Sequence, residues 1–209
     1  MPLDETTAPV TPDLEALYGA ATPLAIAKEL DRIDENCRLF ISHSPFLCIA
    51  SADADGKVDV SPRGDPPGFV QVLDDKTLAI PDRVGNNRID TLKNLRENPE
   101  VGLIFFVPGV GETMRVNGTA RITEDAALLE GMAINGKPPK TAILVTVREA
   151  FIHCAKALKR SSLWDPSVQV PKGTIPSLAR MIKTQVEAMG DSVETIEERI
   201  EVAYKERLY

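Results

Sequence analysis

Two short runs of polar residues have the composition of a phosphate-binding site. The first run, Ser61-Pro62-Arg63-Gly64, follows a predicted strand and leads into a proline- and glycine-rich loop. A serine hydroxyl and a forked guanidinium beside a rigid backbone suit an anionic ligand. The alternative interpretation is structural, in which Arg63 caps a turn and pairs with a neighbouring aspartate. The residues alone leave both interpretations open.

The second run extends from Arg83 to Arg88 and links a predicted strand to a helix expected to begin at about Asn87. The backbone N–H groups and the dipole at a helix N-terminus favour a phosphate. Arg83, Asn87 and Arg88 would add positive charge and hydrogen-bond donors. Turn capping and pairing with nearby aspartates is again the alternative.

A third segment combines a basic helical face with the single tryptophan of the chain. Lys156, Lys159 and Arg160 share one face of a predicted helix, and Ser161 and Trp164 follow directly. One interpretation is a solvated basic face beside a packed tryptophan. The other is a site for an anion or for the edge of a flavin.

Common catalytic signatures are absent from the sequence. No GxSxG, HExxH, Walker loop or GxGxxG motif occurs. The two histidines, His43 and His153, are too few for a site built from several histidine ligands. We therefore assign no catalytic residue and no metal site from the sequence.

The elements that must position these residues are many short strands with few helices between them. The strand patterns lie at Phe46–Ala52, Val58–Ser61, Phe69–Leu73, Thr77–Ile80, Val101–Val107, Met114–Ile122, Ala142–Val147 and Ala150–Cys154. Helical patterns lie at about 23–42, 87–97 and 123–134, and at Ile175–Met189 and Ser192–Tyr204. This order predicts a mainly β fold, an antiparallel Greek-key barrel with α-helices at both termini.

A division into three parts follows from the same pattern. We expect an N-terminal arm (residues 1–12) and helix within residues 1–44, a barrel over 45–165, and a helical extension over 166–209, all in a single domain. The strands Val101–Val107 and Ala142–Val147 are apolar on both faces. One small barrel cannot bury so much apolar surface inside itself, so we expect a homodimer.

Charge and composition narrow the class of protein. A formal net charge of −7 argues against a nucleic-acid-binding protein. The N-terminal residues lack the pattern of a secretory signal, and no apolar run approaches the ~18 residues of a membrane span. The three cysteines, Cys37, Cys48 and Cys154, are odd in number and lack a CxxC motif. We therefore expect a cytoplasmic protein with no membrane contact.

Taken in order, these segments resemble the FMN-binding split barrels related to pyridoxamine 5′-phosphate oxidase. The resemblance runs from about Phe46 to Trp164. FLCIASADADGKVDVSPRGDPPG is similar to the opening hairpin and first flavin-contacting stretch of that superfamily, and NNRIDTLKNLRENPEVGLIFF to its phosphate-side helix and long strand. MRVNGTARI is similar to a strand that commonly reads (R/Q)VxG. SPRGDPPGF and HCAKALKRSSLW resemble a subfamily of FMN-dependent enzymes without a settled substrate.

The resemblance implies a six-stranded split barrel and a homodimer whose two FMN sites lie in clefts between the subunits. Ser61, Pro62, Arg63 and Gly64 would lie along the flavin ring and ribityl chain. Arg83, Asn87 and Arg88 would hold the phosphate, and Lys156, Arg160, Ser161 and Trp164 would approach the ring from the partner chain. The family's arginine-lysine pair after the first turn is replaced here by SPRGD, so the phosphate contacts are redistributed.

The function implied is an FMN-dependent oxidoreductase acting on a small molecule. Pyridoxamine-phosphate oxidases end their barrel with a substrate-contacting Arg-Leu-His-Asp-Arg run, of which the stretch from Ser162 to Pro166 keeps only the leucine and the aspartate. Efficient oxidation of pyridoxamine phosphate is therefore not expected. The alternatives are a flavin-binding or flavin-shuttling module without turnover, or binding of deazaflavin or haem.

Overall fold

Seven antiparallel strands and eight α-helices make up the part of the chain described by the computed structural model, residues 12–186 and 190–209. Most of the predicted N-terminal arm, and residues 187–189 of a predicted helix, lie outside the described residues. The strands are β1 (Phe46–Ala52), β2 (Val58–Gly64), β3 (Gln71–Val72), β4 (Thr77–Asp82), β5 (Glu100–Phe106), β6 (Thr113–Thr123) and β7 (Thr141–His153). The helices are α1 (Leu14–Tyr18), α2 (Pro23–Ala27), α3 (Glu35–His43), α4 (Asp90–Glu97), α5 (Ala126–Glu130), α6 (Lys156–Ser161), α7 (Leu178–Gln185) and α8 (Val193–Glu206).

The strands form one sheet in the order β2-β1-β5-β6-β7-β4-β3. Alternate side chains of β1 and β5, such as Leu47 and Phe105, are fully buried, as expected for strands with one face on a core. Ile80 of β4, which lies near the other end of the sheet, belongs to the same hydrophobic cluster. The sheet therefore curls around a single core, and α3 covers it with Cys37 and Ile41.

The mainly β antiparallel architecture is confirmed, but the six strands expected for a Greek-key split barrel are not what the structure shows. The sheet has seven strands because the two-residue strand β3 pairs with β4. No pairing between β2 and β3 joins the two edges within residues 12–186 and 190–209. The last two predicted strands are one strand, β7, because a bulge that leaves Arg148 of β7 unpaired, opposite Asn117 and Gly118 of β6, lets pairing continue past the interruption. A Cβ atom at Gly118 would overlap the carbonyl oxygen of Thr146.

The helix predicted over residues 23–42 is wrong, because an extended segment separates α2 from α3. Leu30 exchanges backbone hydrogen bonds with Ala150 of β7, at 3.0 and 2.7 Å. Lys28 Nζ also donates to the carbonyl oxygen of Ile152 (2.8 Å). Asp34 then starts α3 by accepting a hydrogen bond from the backbone N–H of Cys37 (2.8 Å).

The outer face of β7 is covered within the chain, contrary to the expectation that it needs a partner subunit. Ala142 and Leu144 of β7 pack against Leu129 of α5 and the adjacent Met132 in a second hydrophobic cluster. Among residues 12–186 and 190–209, none covers the outer face of β1, β2 and β5 in this way, and Val58 and Val60 of β2 are 69% and 61% exposed.

Two helices follow the barrel. Helices α7 and α8 pack together through the buried residues Ala179 and Ile196, and Ser177 Oγ donates to Glu197 Oε1 (2.5 Å). After α8 the chain returns to the barrel, where Tyr209 contacts Asp65. None of the described helices combines the length and apolarity needed to span a bilayer.

Candidate functional site

The first two polar runs come together at one cleft of about 970 Å³. The cleft lies between β2, the end of β4, the segment from Arg83 to Ile89, the segment 137–141, and Tyr209. Its lining includes seven residues singled out from the sequence: Ser61, Pro62, Arg63, Gly64, Arg83, Asn87 and Arg88. Its volume falls within the range of small-molecule binding sites, about 300–1,000 Å³.

Arg63 lies on the half-buried face of β2. Alternation along the strand places Asp59, Ser61 and Arg63 on this same face. Arg63 Nη1 donates to the carbonyl oxygen of Pro62 (2.9 Å), and Nη2 lies 3.8 Å from Asp82 Oδ1. Its Nε is buried and has no hydrogen-bond partner among the described residues. A buried donor without an acceptor is costly, and a ligand oxygen would satisfy it.

Arg83 is held from beneath by a buried carboxylate. Its Nε lies 2.6 Å from Oδ2 of Asp65, whose side chain is fully buried. The hydroxyl of Tyr209 donates to the other oxygen of Asp65 (2.7 Å), and the Tyr209 ring centroid lies 5.7 Å from the Arg83 guanidinium carbon. Neither terminal nitrogen of Arg83 donates to a residue in the described part of the chain.

Arg88 lies at the exposed rim of the cleft, and its side chain is 74% exposed. Its Nε donates to Asp90 Oδ2 (2.8 Å), and this hydrogen bond lowers the pKa of Asp90. The helix expected to begin at about Asn87 begins at Asp90 instead. Asn87 and Ile89 both adopt a left-handed backbone (φ 60° and 52°), which interrupts a helix.

Ser61 and Thr91 of α4 donate hydrogen bonds to the same carboxylate, that of Asp59. The Ser61 hydroxyl donates to Asp59 Oδ2 (3.0 Å), and the buried Thr91 hydroxyl donates to the same oxygen (3.3 Å). The proton of Ser61 is therefore engaged by Asp59, and Ser61 lines the cleft with the lone pairs of its oxygen left to accept.

The charge of the cleft differs in sign from that of the whole protein. Among the described residues, five cationic side chains line it, against three carboxylates, and the buried Asp65 beneath Arg83 adds a fourth. The charged lining residues are Arg63, Arg83, Arg88, Lys137 and Lys140, against Asp59, Asp82 and Asp90. Burial raises the pKa of Asp82, and the charge of Arg63 opposes that rise. An acidic protein therefore presents a locally positive cleft.

Sequence reasoning missed several residues of this cleft. Lys137 and Lys140 flank a Pro-Pro pair, a pattern that predicts a rigid basic loop and could have drawn attention to them. Asp82 is the end residue of an apolar strand, and its charge makes it conspicuous there. Tyr209 carries no sequence signal, because its contact with Asp65 joins positions 144 residues apart.

The third segment lies apart from this cleft, whose lining includes none of Lys156, Arg160, Ser161 and Trp164. The first three belong to α6, and the Trp164 indole N–H donates to the carbonyl oxygen of Val110 (2.7 Å). Ser161 Oγ donates to the carbonyl oxygen of Leu158 (3.1 Å). A contribution from a partner chain to its cofactor stays a prediction.

Among known proteins, the family model of pyridoxamine 5′-phosphate oxidase matches residues 33–154, more than half of the chain. The chain therefore belongs to the pyridoxamine 5′-phosphate oxidase-like family of FMN-binding split barrels. The matched residues include both polar runs of the cleft and stop before α6. No curated protein matches the chain.

Several solved structures are similar to the chain at low identity. HupZ of Group A Streptococcus is 21% identical, with a TM-score of 0.47, over 57% of this chain and 93% of that one. An FMN-binding protein of Syntrophomonas wolfei is 11% identical (TM-score 0.42; 55% and 82%). HutZ of Vibrio cholerae, named as a haem storage protein, is 14% identical (TM-score 0.40; 59% and 94%). The family assignment rests on the family model.

Proposed function

We propose that the protein is an FMN-dependent oxidoreductase that acts on a small molecule. The observation that carries the proposal is the convergence of Arg63, Arg83 and Arg88 on one cleft of suitable volume. The phosphate of FMN is a dianion with strong acceptor oxygens, and arginines are the side chains best suited to bind it.

The arrangement of the carboxylates favours phosphate binding. Asp65 accepts a hydrogen bond from Arg83 Nε, and Asp90 accepts one from Arg88 Nε. The terminal nitrogens of both arginines donate to no residue in the described part of the chain. Each carboxylate thereby anchors a guanidinium whose other donors remain available. The unsatisfied Nε of Arg63 adds a further donor. These residues fit a terminal phosphate.

FMN fits the residues better than the alternative cofactors. A dinucleotide would need a second phosphate site, and the sequence has no GxGxxG motif. Neither His43 nor His153 lines the cleft, which argues against haem ligation by histidine there. A deazaflavin shares the flat ring system of a flavin, so it remains the alternative that binding measurements must separate from FMN.

FMN itself supplies the electron or hydride transfer when it is bound. The chain's own residues bind the phosphate, hold the ring and set the local charge. The cationic cleft favours the negative charge of a reduced flavin.

We further propose a homodimer with the cofactor cleft at the subunit interface. The outer face of β1, β2 and β5 carries apolar side chains that the chain leaves partly exposed, including Phe46, Val58 and Val60. A second copy of the same surface would cover it, as in an isologous dimer. The basic face of α6, with Lys156 and Arg160, would then approach the partner's cofactor.

A cytoplasmic location is part of the same proposal. Its support is that Cys37, Cys48 and Cys154 are all free thiols, as expected in a reducing compartment.

Cofactor titration of the purified protein tests the proposal. We expect FMN to bind and riboflavin to bind more weakly, because riboflavin lacks the phosphate. Arg83→Ala and Arg63→Ala should each weaken FMN binding by about 1.5–3 kcal/mol, the scale of a charge-assisted hydrogen bond. Arg88→Ala should weaken it less, because its charge is solvent-screened.

Arg121→Ala is the matched control, since Arg121 is exposed on β6, outside the cleft, and should leave FMN binding unchanged. FMN affinity that stays unchanged in all three cleft variants would contradict the assignment. Reduction of the bound flavin by candidate donors, followed by reoxidation, separates an oxidoreductase from a flavin-binding module without turnover.

A further inference from the structure

The segment that follows α8, residues 207–209 (the C-terminal segment), contributes the side chain of Tyr209 to the cleft. Tyr209 lies beyond α8 and outside residues 33–154, which match the family model. Its hydroxyl reaches Asp65 (2.7 Å), and Lys137 Nζ donates to its carbonyl oxygen (3.1 Å). The segment is therefore attached to the cleft at two points.

Asp65 joins this tyrosine to Arg83. One carboxylate oxygen accepts from Arg83 Nε and the other from the Tyr209 hydroxyl. A fully buried carboxylate needs both a cationic partner and hydrogen bonds on its remaining lone pairs. Tyr209 supplies the second requirement, and its ring lies against the guanidinium. The hydrogen bond to Asp65 raises the pKa of the phenol, so Tyr209 keeps its donor proton at neutral pH.

The two hydrogen bonds that link Tyr209, Asp65 and Arg83 restrain the direction of the Arg83 guanidinium. The hydrogen bond from Nε to Asp65 and the Tyr209 ring together restrain the guanidinium of Arg83, which lines the cleft with both terminal nitrogens available. Resting on the proposed function, we propose that Tyr209 and Asp65 are positioning residues of the phosphate subsite. Through them, the C-terminal segment determines how strongly the cleft prefers a phosphate-bearing flavin over one without a phosphate.

Coupling of this kind is reciprocal. If the docked segment improves phosphate binding by orienting Arg83, then a bound phosphate stabilises the docked segment by the same factor. Removal of the Tyr209 hydroxyl should therefore weaken the subsite while every arginine of the cleft stays in place.

The test compares Tyr209→Phe with Tyr204→Phe. Tyr204→Phe is the matched control, because it also removes one tyrosine hydroxyl, and Tyr204 is exposed on α8 outside the cleft. We expect Tyr209→Phe to weaken FMN binding about three- to ten-fold, the effect of one lost hydrogen bond, and to leave riboflavin binding unchanged. Tyr204→Phe should change neither affinity. Equal weakening of FMN and riboflavin would overturn the proposal, because it would indicate general loss of structure. Tighter FMN binding would also overturn it, because Tyr209 would then be a competitor of the ligand.

A double-mutant cycle with Arg83→Ala isolates the route of the effect. If Tyr209 acts through Arg83, Tyr209→Phe should cause no further loss of FMN affinity in the Arg83→Ala protein. The same fold-loss in both backgrounds would overturn the inference. If Arg83→Ala weakens FMN binding and Tyr209→Phe does not, the inference about Tyr209 is wrong and the proposed function is still supported. FMN binding that is insensitive to every cleft arginine would remove both.

Discussion

Asp82 opposes the binding of an anion to the cleft, so its neutralisation should strengthen FMN binding. Asp82 Oδ1 lies 3.8 Å from Arg63 Nη2, and the two side chains are 23% and 19% exposed. At this separation the attraction is about 1 kcal/mol in water and about 4 kcal/mol at the effective dielectric of a protein surface. A phosphate dianion must compete with that attraction for Arg63 and is itself repelled by Asp82.

We therefore expect Asp82→Asn to tighten FMN binding by about 1–2 kcal/mol, roughly five- to thirty-fold. The assay is titration of the cofactor-free protein with FMN, followed by flavin fluorescence, with riboflavin measured in parallel. Asp31→Asn is the control, because Asp31 pairs with Lys76 at the surface and outside the cleft. Unchanged or weaker FMN binding in Asp82→Asn would refute the competition between Asp82 and the phosphate.

The same variant has a pH signature in the cofactor-free protein. Burial raises the pKa of Asp82 in the folded state above its ordinary value. The folded protein then binds that proton more tightly than the unfolded chain, so the contribution of Asp82 to stability falls as pH rises from about 3.8 through the raised pKa. Asp82→Asn should remove this fall, which thermal unfolding measured across the acid range will detect.

Two further predictions concern assembly and substrate. Val60→Asp should dissociate or weaken the expected dimer, as measured by light scattering, because it places a charge on the uncovered apolar face. Val170→Asp, in an exposed loop, is the control and should leave the dimer unchanged. A Val60→Asp dimer of unchanged stability would place the interface elsewhere. The FMN-loaded protein should oxidise pyridoxamine phosphate at least about 10²-fold less efficiently than a dedicated oxidase, because Ser162, Trp164 and Pro166 stand where the resemblance to that enzyme implies substrate-contacting groups. Pyridoxal phosphate formation comparable to that of a dedicated oxidase would show that those replacements do not govern specificity.

Local patterns predicted the strands well because their causes are local. Phe46–Ala52 alternates buried and half-buried positions, and the structure begins and ends β1 at those two residues. The turn that follows carries a glycine with positive φ, as its Asp-Ala-Asp-Gly sequence predicts. The first polar run was located for the same reason, since it ends β2 and leads directly into the cleft.

Errors arose where distant residues decide the local structure. The periodicity of residues 23–42 favours one helix, yet Leu30 gains two backbone hydrogen bonds by pairing with Ala150. The start of α4 moved to Asp90 because Asn87 and Ile89 take left-handed conformations that their sequence does not require. Tyr209 was missed for the same reason, because nothing near it in the sequence indicates that Asp65 will be its partner.

The contacts of Lys28 and Leu30 with β7 also have a consequence for the order in which the chain folds as it is made. Lys28 and its partner Ile152 are 124 residues apart, so at ~5–20 residues per second the partner strand is synthesised roughly 6–25 s later. During that interval Ile33, Cys37 and Ile41 lack the strands that bury them in the finished core. The contacts of Lys28, Leu30 and α3 with β7 can therefore form only after most of the barrel has been synthesised.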